Sequence, residues 1–383
     1  MCGFTFTVFL SAFQLLPVAP FRIRDLGGST FASGLFLGFL TYASAWSAPL
    51  TGAAADRIGR RRTLLVSSAV ILCCSLAYAV ITDYRLMLAL VVVHGIFWSG
   101  LLSASAAYLT NMLPEQRRAE GIGYWGLSSV AAIAVAPPIA FWIFDRGWIW
   151  VCASCAVLNV AMGMIAWTLD DPPDARTITG ADAATSTQST ATNAADRAHA
   201  PSLVEWRVLI LAVSLFLYSF GYGAITSFSA VYADAIRVTP KSLYLTLLAV
   251  VILCTRPLSG PLADRIGYKP VLAPALAFTA AGLAILVAAR SRATLAASAI
   301  VFGIGFGTSY PVFVAYVMRD IDARRRGAAF GAILAAFDTG IGTGSTLTGW
   351  VIQRFGFPTA FGTAAALAAI SLPYFLVADR RLR

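Results

Sequence analysis

Apolar residues fill twelve stretches of this chain: 4–21, 30–53, 63–82, 86–110, 121–144, 148–169, 205–232, 242–263, 270–289, 293–318, 327–350 and 357–378. Crossing a bilayer as a helix takes about 20 mainly apolar residues. The backbone must then be satisfied within the segment, because no water reaches it there. The pattern predicts an all-α membrane protein with twelve transmembrane helices. Only residues 170–202 break it at length. This stretch opens Asp170-Asp171-Pro172-Pro173, runs on in Ala, Thr and Ser, and sets Asp174, Asp182 and Asp196 against Arg176 and Arg197. Such a segment has no apolar face to bury and reads as a flexible tether.

The two sides of the tether repeat one another. Gly52-Ala-Ala-Ala-Asp56-Arg57-Ile-Gly59-Arg60-Arg61-Arg62 lies between the second and third stretches, and Gly260-Pro-Leu-Ala-Asp264-Arg265-Ile-Gly267-Tyr-Lys269 between the eighth and ninth. Asp56 and Asp264 are 208 residues apart, and the same ungapped offset pairs Pro49 with Pro257, Gly95 with Gly303, Tyr108 with Tyr316 and Arg118 with Arg326. A fixed internal period of this kind is read before any single residue.

The pattern G-x-x-x-D-R-x-G-R-[KR]-[KR], complete in the first copy and weaker in the second, resembles the signature loop of the major facilitator superfamily. The resemblance covers essentially the whole chain. It implies the major facilitator fold, two pseudo-symmetric six-helix bundles at 1–169 and 204–383 joined by a cytoplasmic linker at 170–203. It also implies that spans 1, 4, 7 and 10 line a central cavity. Gly52, Asp56, Arg57, Gly59, Arg60, Asp264, Arg265 and Gly267 would form gating loops, with Asp56 and Arg57 bracing the first half against the start of span 11. Drug–proton antiporters of the family often carry Arg four residues before the glycine that aligns with Gly95, where this chain has Val91. The exporter pattern G-x8-G-x3-G-P in helix 5 reads here Gly123, Ala132, Ala136, Pro137, so the efflux signal is present but degraded.

Composition fits a membrane protein: 58% of the 383 residues are hydrophobic and 12% charged, with mean hydropathy +0.76. A net charge of +10 would suit nucleic acid, but its distribution decides otherwise. With Met1 inside, the inner loops and ends hold about twice the Lys and Arg of the outer ones, which is topology rather than nucleic-acid binding. Both termini are expected in the cytoplasm of a multi-pass protein of the cell (inner or plasma) membrane. The first stretch lacks a basic leader and a small-residue cleavage site and reads as a retained helix. Cys2, Cys73, Cys74, Cys152, Cys155 and Cys254 all fall in apolar stretches, so they read as small hydrophobes and neither metal nor cofactor is expected.

Candidate chemistry lies on a few polar stripes. Thr7, Ser11 and Gln14 share a face of span 1, as cavity wall or as helix-to-helix hydrogen bonds, and Pro17 and Pro20 are expected to close that span. His94 and Trp98 share a stripe of span 4; His94 suits proton traffic by its ordinary titration range, or bridges two helices. Tyr218 and Tyr222 in span 7 and Tyr310 in span 10 offer aromatic faces with a hydroxyl. Span 8 holds Arg256, the one Lys or Arg set deep in a span rather than at its edge as Arg207 is, opposite Ala48 in the first half. Span 11 holds Asp338, opposite Val130, and an ionisable group at such depth is functional by default. Asp338 shares a face with Gly331, Gly342, Ser345 and Gly349, while Gly340 and Gly344 form a packing face behind it. At roughly 1.5 Å per residue Asp338 lies about 17 Å from the cytoplasmic end and Arg256 about 12 Å.

The sequence reads as a secondary transporter moving a small molecule by alternating access, with proton-coupled efflux through Asp338, Arg256 and His94. Gln14, Trp98, Tyr218, Tyr222 and Tyr310 are its candidate substrate residues. Asp338 and Arg256 form either a coupling pair made and broken in the cycle or a permanent structural pair. The expected partners are a small-molecule substrate, protons or another coupling ion, and the lipid bilayer, with the protein a monomer. A nutrient uptake permease of the same fold and a non-transporting sensor stay open. No Ser/His/Asp constellation points to an enzyme, and no G-x-x-x-x-G-K-[ST] loop points to ATP.

Overall fold

A computed structural model describes residues 1–112, 118–169, 206–319, 321 and 326–381; the tether lies outside them. Six helices precede the tether: α1 (Cys2–Asp25), α2 (Thr30–Ile58), α3 (Arg60–Val80), α4 (Tyr84–Met112), α5 (Arg118–Phe144) and α6 (Trp148–Trp167). Four more follow: α7 (Trp206–Ala235), α8 (Leu243–Ile266), α9 (Tyr268–Val287) and α10 (Arg292–Met318). The last run, Arg326–Arg381, is broken only at Gly356 (φ 81°, ψ 173°) into α11 (326–355) and α12 (357–381). The described residues thus form two six-helix bundles. Ten helices, counting the last run once, are long and apolar enough to cross a membrane. The one outside that set, α2, is 29 residues long but rich in Gly, Ala, Ser and Thr. Its composition suits its place between α4 and α11, where small side chains let backbones approach.

One expectation needs correcting. Pro17 and Pro20 do not close α1, which runs through both to Asp25. Proline removes one amide hydrogen bond, but inside a bundle neighbouring groups tolerate the loss, and membrane helices carry prolines more readily than soluble ones.

The 208-residue offset is built into the packing. Gly59 and Gly267 hold matching left-handed corners, φ 101° and 93°, between α2 and α3 and between α8 and α9. A β-carbon on Gly95 would stand 2.9 Å from Ala43 Cβ and 3.1 Å from the Leu40 carbonyl carbon. One on Gly303 would stand 2.9 Å from Val251 Cβ and 3.3 Å from the Leu248 oxygen. Leu40 and Leu248, like Ala43 and Val251, are themselves offset partners, so the α2–α4 contact recurs as α8–α10. We predict that Gly59→Ala and Gly267→Ala each lower stability by about 1 kcal/mol, because an L side chain is strained at that φ. Unchanged unfolding midpoints in both variants would show these corners to be softer than their geometry implies.

The two halves meet along α2–α11, α5–α8 and α1–α7. At the end where α1 turns into α2 they are knitted together. The Gln353 amide oxygen accepts from the Phe31 amide (3.1 Å), Ser345 Oγ donates to the Gly34 carbonyl (2.7 Å), and Tyr42 shares a 2.8 Å hydrogen bond with Thr343. Toward the opposite end the same faces separate. Pro49 and Leu334 are exposed, and Gly52, Gly126, Gly260 and Gly331 all border open space. Among the described residues the halves form a wedge, open at the end that carries Asp56 and Asp264.

Candidate functional site

Both faces of α11 pack, contrary to the expectation of one packed face and one charged one. Gly340 and Gly344 lie against the α7 backbone at Phe216 and Phe220, as their spacing implied. Gly342 and Gly349 lie against α2, at Thr41 and Tyr42 and at Thr30. The charge-bearing face had a partner all along, but that partner sits in the other half, beyond the reach of local periodicity. Asp338 occupies the point where this contact ends and the wedge opens. It is half-buried, and its Oδ2 accepts a 3.2 Å hydrogen bond from Ser44 Oγ of α2.

Arg256 continues the face of α8 that carries Leu245, Leu248, Ala249 and Ile252. It is half-buried, and its Nε atom is sealed from solvent with no hydrogen-bond partner. Among the described residues no ion pair joins Arg256 to Asp338; each instead acts electrostatically on Tyr310. Aromatic rings fill the wall between them. Tyr222 stacks on Phe306 with centroids 4.4 Å apart and planes 4° off parallel. Phe306 stacks on Phe337 at 6.1 Å, and Tyr310 leans on Phe337 at 4.7 Å. Tyr218 is fully buried edge-on to Phe306, its hydroxyl without a partner. Beside this wall a small apolar cavity lies between the halves, lined by α1, α5, α7 and α8.

The first-half candidates face elsewhere. Gln14 is buried and its side-chain oxygen accepts from Ser154 Oγ of α6 (2.9 Å), the helix-bridging alternative. Thr7 donates back to its own helix at Phe4. His94 is buried with Nδ1 3.5 Å from the Tyr78 hydroxyl, joining α4 to α3. Trp98 packs edge-on to Phe9 at 5.4 Å. What this half gives the cavity is Phe13, Pro17, Ile133 and Pro137. Sequence reasoning placed none of these four in the cavity, naming Pro137 only in the helix 5 pattern and Pro17 only as a helix end, and it passed over Ser44, Phe306 and Phe337. Apolar residues and a lone serine look alike wherever they sit in an apolar helix, so only the fold distinguishes them.

The family model of the Major Facilitator Superfamily matches residues 1–253 and 211–383. The chain belongs to the major facilitator superfamily. An uncharacterized MFS-type transporter of Burkholderia mallei (strain SAVP1) is 26% identical over 388 aligned positions, covering 99% of this chain and 91% of that protein. Two solved structures share the fold at low identity. The nucleoside transporter NupG (D323A mutant) aligns with TM-score 0.76 at 15% identity, covering 98% of each chain. A D-xylose–proton symporter aligns with TM-score 0.77 at 13% identity, covering 98% of this chain and 95% of the other. Family and fold together point to a multi-pass membrane transporter rather than an enzyme.

The two superfamily loops are anchored alike within their own halves. Arg61 Nη2 donates to the Trp167 carbonyl at the end of α6 (2.6 Å). Its offset partner Lys269 pairs with Asp379 at the end of α12, where Tyr316 also donates to the carboxylate. The Asp379 cluster was missed because a carboxylate near a span end looks like an ordinary solvated terminus. Asp264 accepts from the Tyr268 hydroxyl at 3.4 Å. Asp56 is exposed, and no partner is recorded for it among the described residues.

Proposed function

We propose that this chain is a proton-coupled secondary transporter that exports a small molecule by alternating access, with Asp338 as the proton site. One observation carries the reading. The carboxylate at the mouth of the inter-half contact is bonded to Ser44 of the opposite half, so the motion that reseats the halves must remake its surroundings. Desolvation disfavours a charged carboxylate, whereas a guanidinium nearby favours it. A cycle that carries Asp338 toward and away from Arg256 therefore converts motion into proton uptake and release. The D-xylose–proton symporter shows a proton driving transport on the same fold. With the Asp56 end in the cytoplasm, as the basic loops imply, the wedge is an inward-open state of a monomer. The deciding experiment is counterflow and gradient-driven flux in proteoliposomes under both polarities of pH gradient. Accumulation driven by an outward-directed proton gradient supports export by exchange; accumulation driven by an inward-directed one supports uptake.

Uptake by proton co-transport is the second reading, and Arg256 favours it: among the described residues it makes no ion pair, and its Nε has no hydrogen-bond partner. A site that offers this cation while Asp338 is held by Ser44 can load substrate and proton together.

Asp56 belongs to the same cycle. Among the described residues it has no hydrogen-bond or ion-pair partner, and the proposed bracing of α11 by this carboxylate belongs to another state of the cycle. A change shifts an equilibrium only through interactions that differ between the states. We predict that Asp56→Asn enlarges the inward-open population while leaving intrinsic substrate affinity near its parent value. Spin-label distances across the Asp56 end that match the parent protein would count against this latch.

A further inference from the structure

The hydrogen bonds that hold the halves together at the closed end, from Phe31, Gly34 and Tyr42 to Gln353, Ser345 and Thr343, all join α2 to α11. The opposite flank, where α1 and α5 meet α7 and α8, is closed by a different chemistry. Lys241 stands in the short turn between α7 and α8, and its ammonium lies over the Phe21 ring of α1, 5.1 Å from the centroid. A cation at that distance over a ring face is attracted by the ring quadrupole. The ring is held in place: Phe21 is buried, edge-on to Phe141 (5.8 Å) and tilted against Phe144 (6.1 Å) of α5. The ammonium is steered from its own half, where Asp234 at the end of α7 pairs with it at 2.9 Å. The turn that carries Lys241 is itself fixed. Its Arg237 and Val238 amides donate to the Asp234 and Ala233 carbonyls (3.0 and 2.8 Å), and Val238 is buried.

Helices in a bilayer gain no hydrophobic attraction from one another, so directional contacts weigh heavily in how two bundles sit. This one can part without stranding a charge. Asp234 and Lys241 belong to the same half and both are partly open to solvent, so lifting the turn off Phe21 leaves the ammonium paired and hydrated. Nor is the arrangement a by-product of the internal repeat. The 208-residue offset sets Ser33 opposite Lys241, Leu26 opposite Asp234 and Ser229 opposite Phe21. Ser33 Oγ donates to the Pro20 carbonyl of its own half (3.1 Å), so the matching place in the first half makes a local bond instead. We propose that Lys241, aimed by Asp234, clasps the two halves at the closed end by resting on Phe21, and that its release is a step in opening that end. The proposal rests on the alternating-access reading for the state that the clasp opposes.

The test reads the closed end of the purified full chain with spin labels at Asp145 and Arg290, exposed positions on opposite halves. A partly exposed cation–π contact shifts an equilibrium by about 2- to 5-fold. Lys241→Met keeps the stem and drops the charge. It should raise the population open at this end by that factor and leave the unfolding midpoint near its parent value. Lys241→Arg should stay close to the parent. Lys241→Glu sets a carboxylate against the ring face and Asp234, and should open the end further than Lys241→Met. Phe21→Leu should act like Lys241→Met, and the two together should do no more than either alone. If Phe21→Leu does not fold, the ordering of the three Lys241 variants carries the test. Unchanged distances in Lys241→Met would overturn the clasp. So would equal shifts in Lys241→Met and Lys241→Arg, or additive shifts in the double variant. The two readings fail differently. A second distance distribution that Gly34→Ala populates and the Lys241 variants do not would sink the clasp alone. A single distribution in every variant, Lys241→Glu and Gly34→Ala included, would sink alternating access and the clasp with it.

Discussion

Asp338→Asn is expected to fold, to bind substrate and to exchange substrate for substrate, yet to lose all accumulation driven by a pH gradient. Asparagine keeps the size of the side chain and its hydrogen bond to Ser44, with the amide in place of the carboxylate. It imitates the protonated acid and cannot cycle a proton. With one proton moved per substrate, each unit of pH gradient supports about a tenfold concentration ratio, since one unit is worth about 1.4 kcal/mol. The variant should fall from that ratio to equality across the membrane. The rival view is a permanent structural pair with Arg256, for which removing one partner of a buried pair costs about 3–5 kcal/mol and destabilises the fold. The separation of Asp338 and Arg256 in this conformation argues against permanence. Gradient-driven accumulation that survives in the Asn variant would remove Asp338 as the coupling site and make His94 the next residue to change.

The second large effect lies on the glycines of α2 and α11. A β-carbon on Gly34 would run into the Ser345 carbonyl, a backbone group that no side-chain rotation can move aside. That contact joins the two halves, so opening them at this end relieves it. A β-carbon on Gly344 would run into the Phe220 carbonyl, within a single half. No rocking motion relieves that. Overpacking of this size costs about 1–3 kcal/mol. We predict that Gly34→Ala shifts the conformational equilibrium about 5- to 150-fold toward the state open at this end, with little loss of stability. Gly344→Ala should instead lower the unfolding midpoint and leave the equilibrium alone. Spin labels at the exposed positions Asp25 and Arg354 read the opening. Equal distances in Gly34→Ala and the parent would mean that the contact does not gate the molecule.

The helices, their order and the internal repeat were legible because each is written locally, in runs of apolar residues and in a fixed offset. The end of α1 was not. Pro17 and Pro20 stop helices in water but not in a packed membrane bundle, where the freed carbonyls find other company. Asp338 and Arg256 stood out because a charge inside an apolar run is conspicuous wherever it points. Gln14 and His94 stood out equally, yet they join helices within one half. A polar residue in a membrane helix announces that it needs a partner, but not which neighbour supplies it. Ser44 and Phe306 gave no sign at all, since their meaning comes only from what the fold sets opposite them.

Gly59, Gly267 and Gly356 each turn one helix into the next with a single residue, so α2–α3, α8–α9 and α11–α12 have almost no slack between them. Neither member of such a pair can travel without dragging the other, and each pair swings as one strut. Whatever bending the transport cycle demands must then be absorbed along the helices themselves. Pro49 in α2, Pro257 and Pro261 in α8 and Pro311 in α10 have already loosened the backbone ladder there. The joints of this machine lie inside its struts, not at their ends.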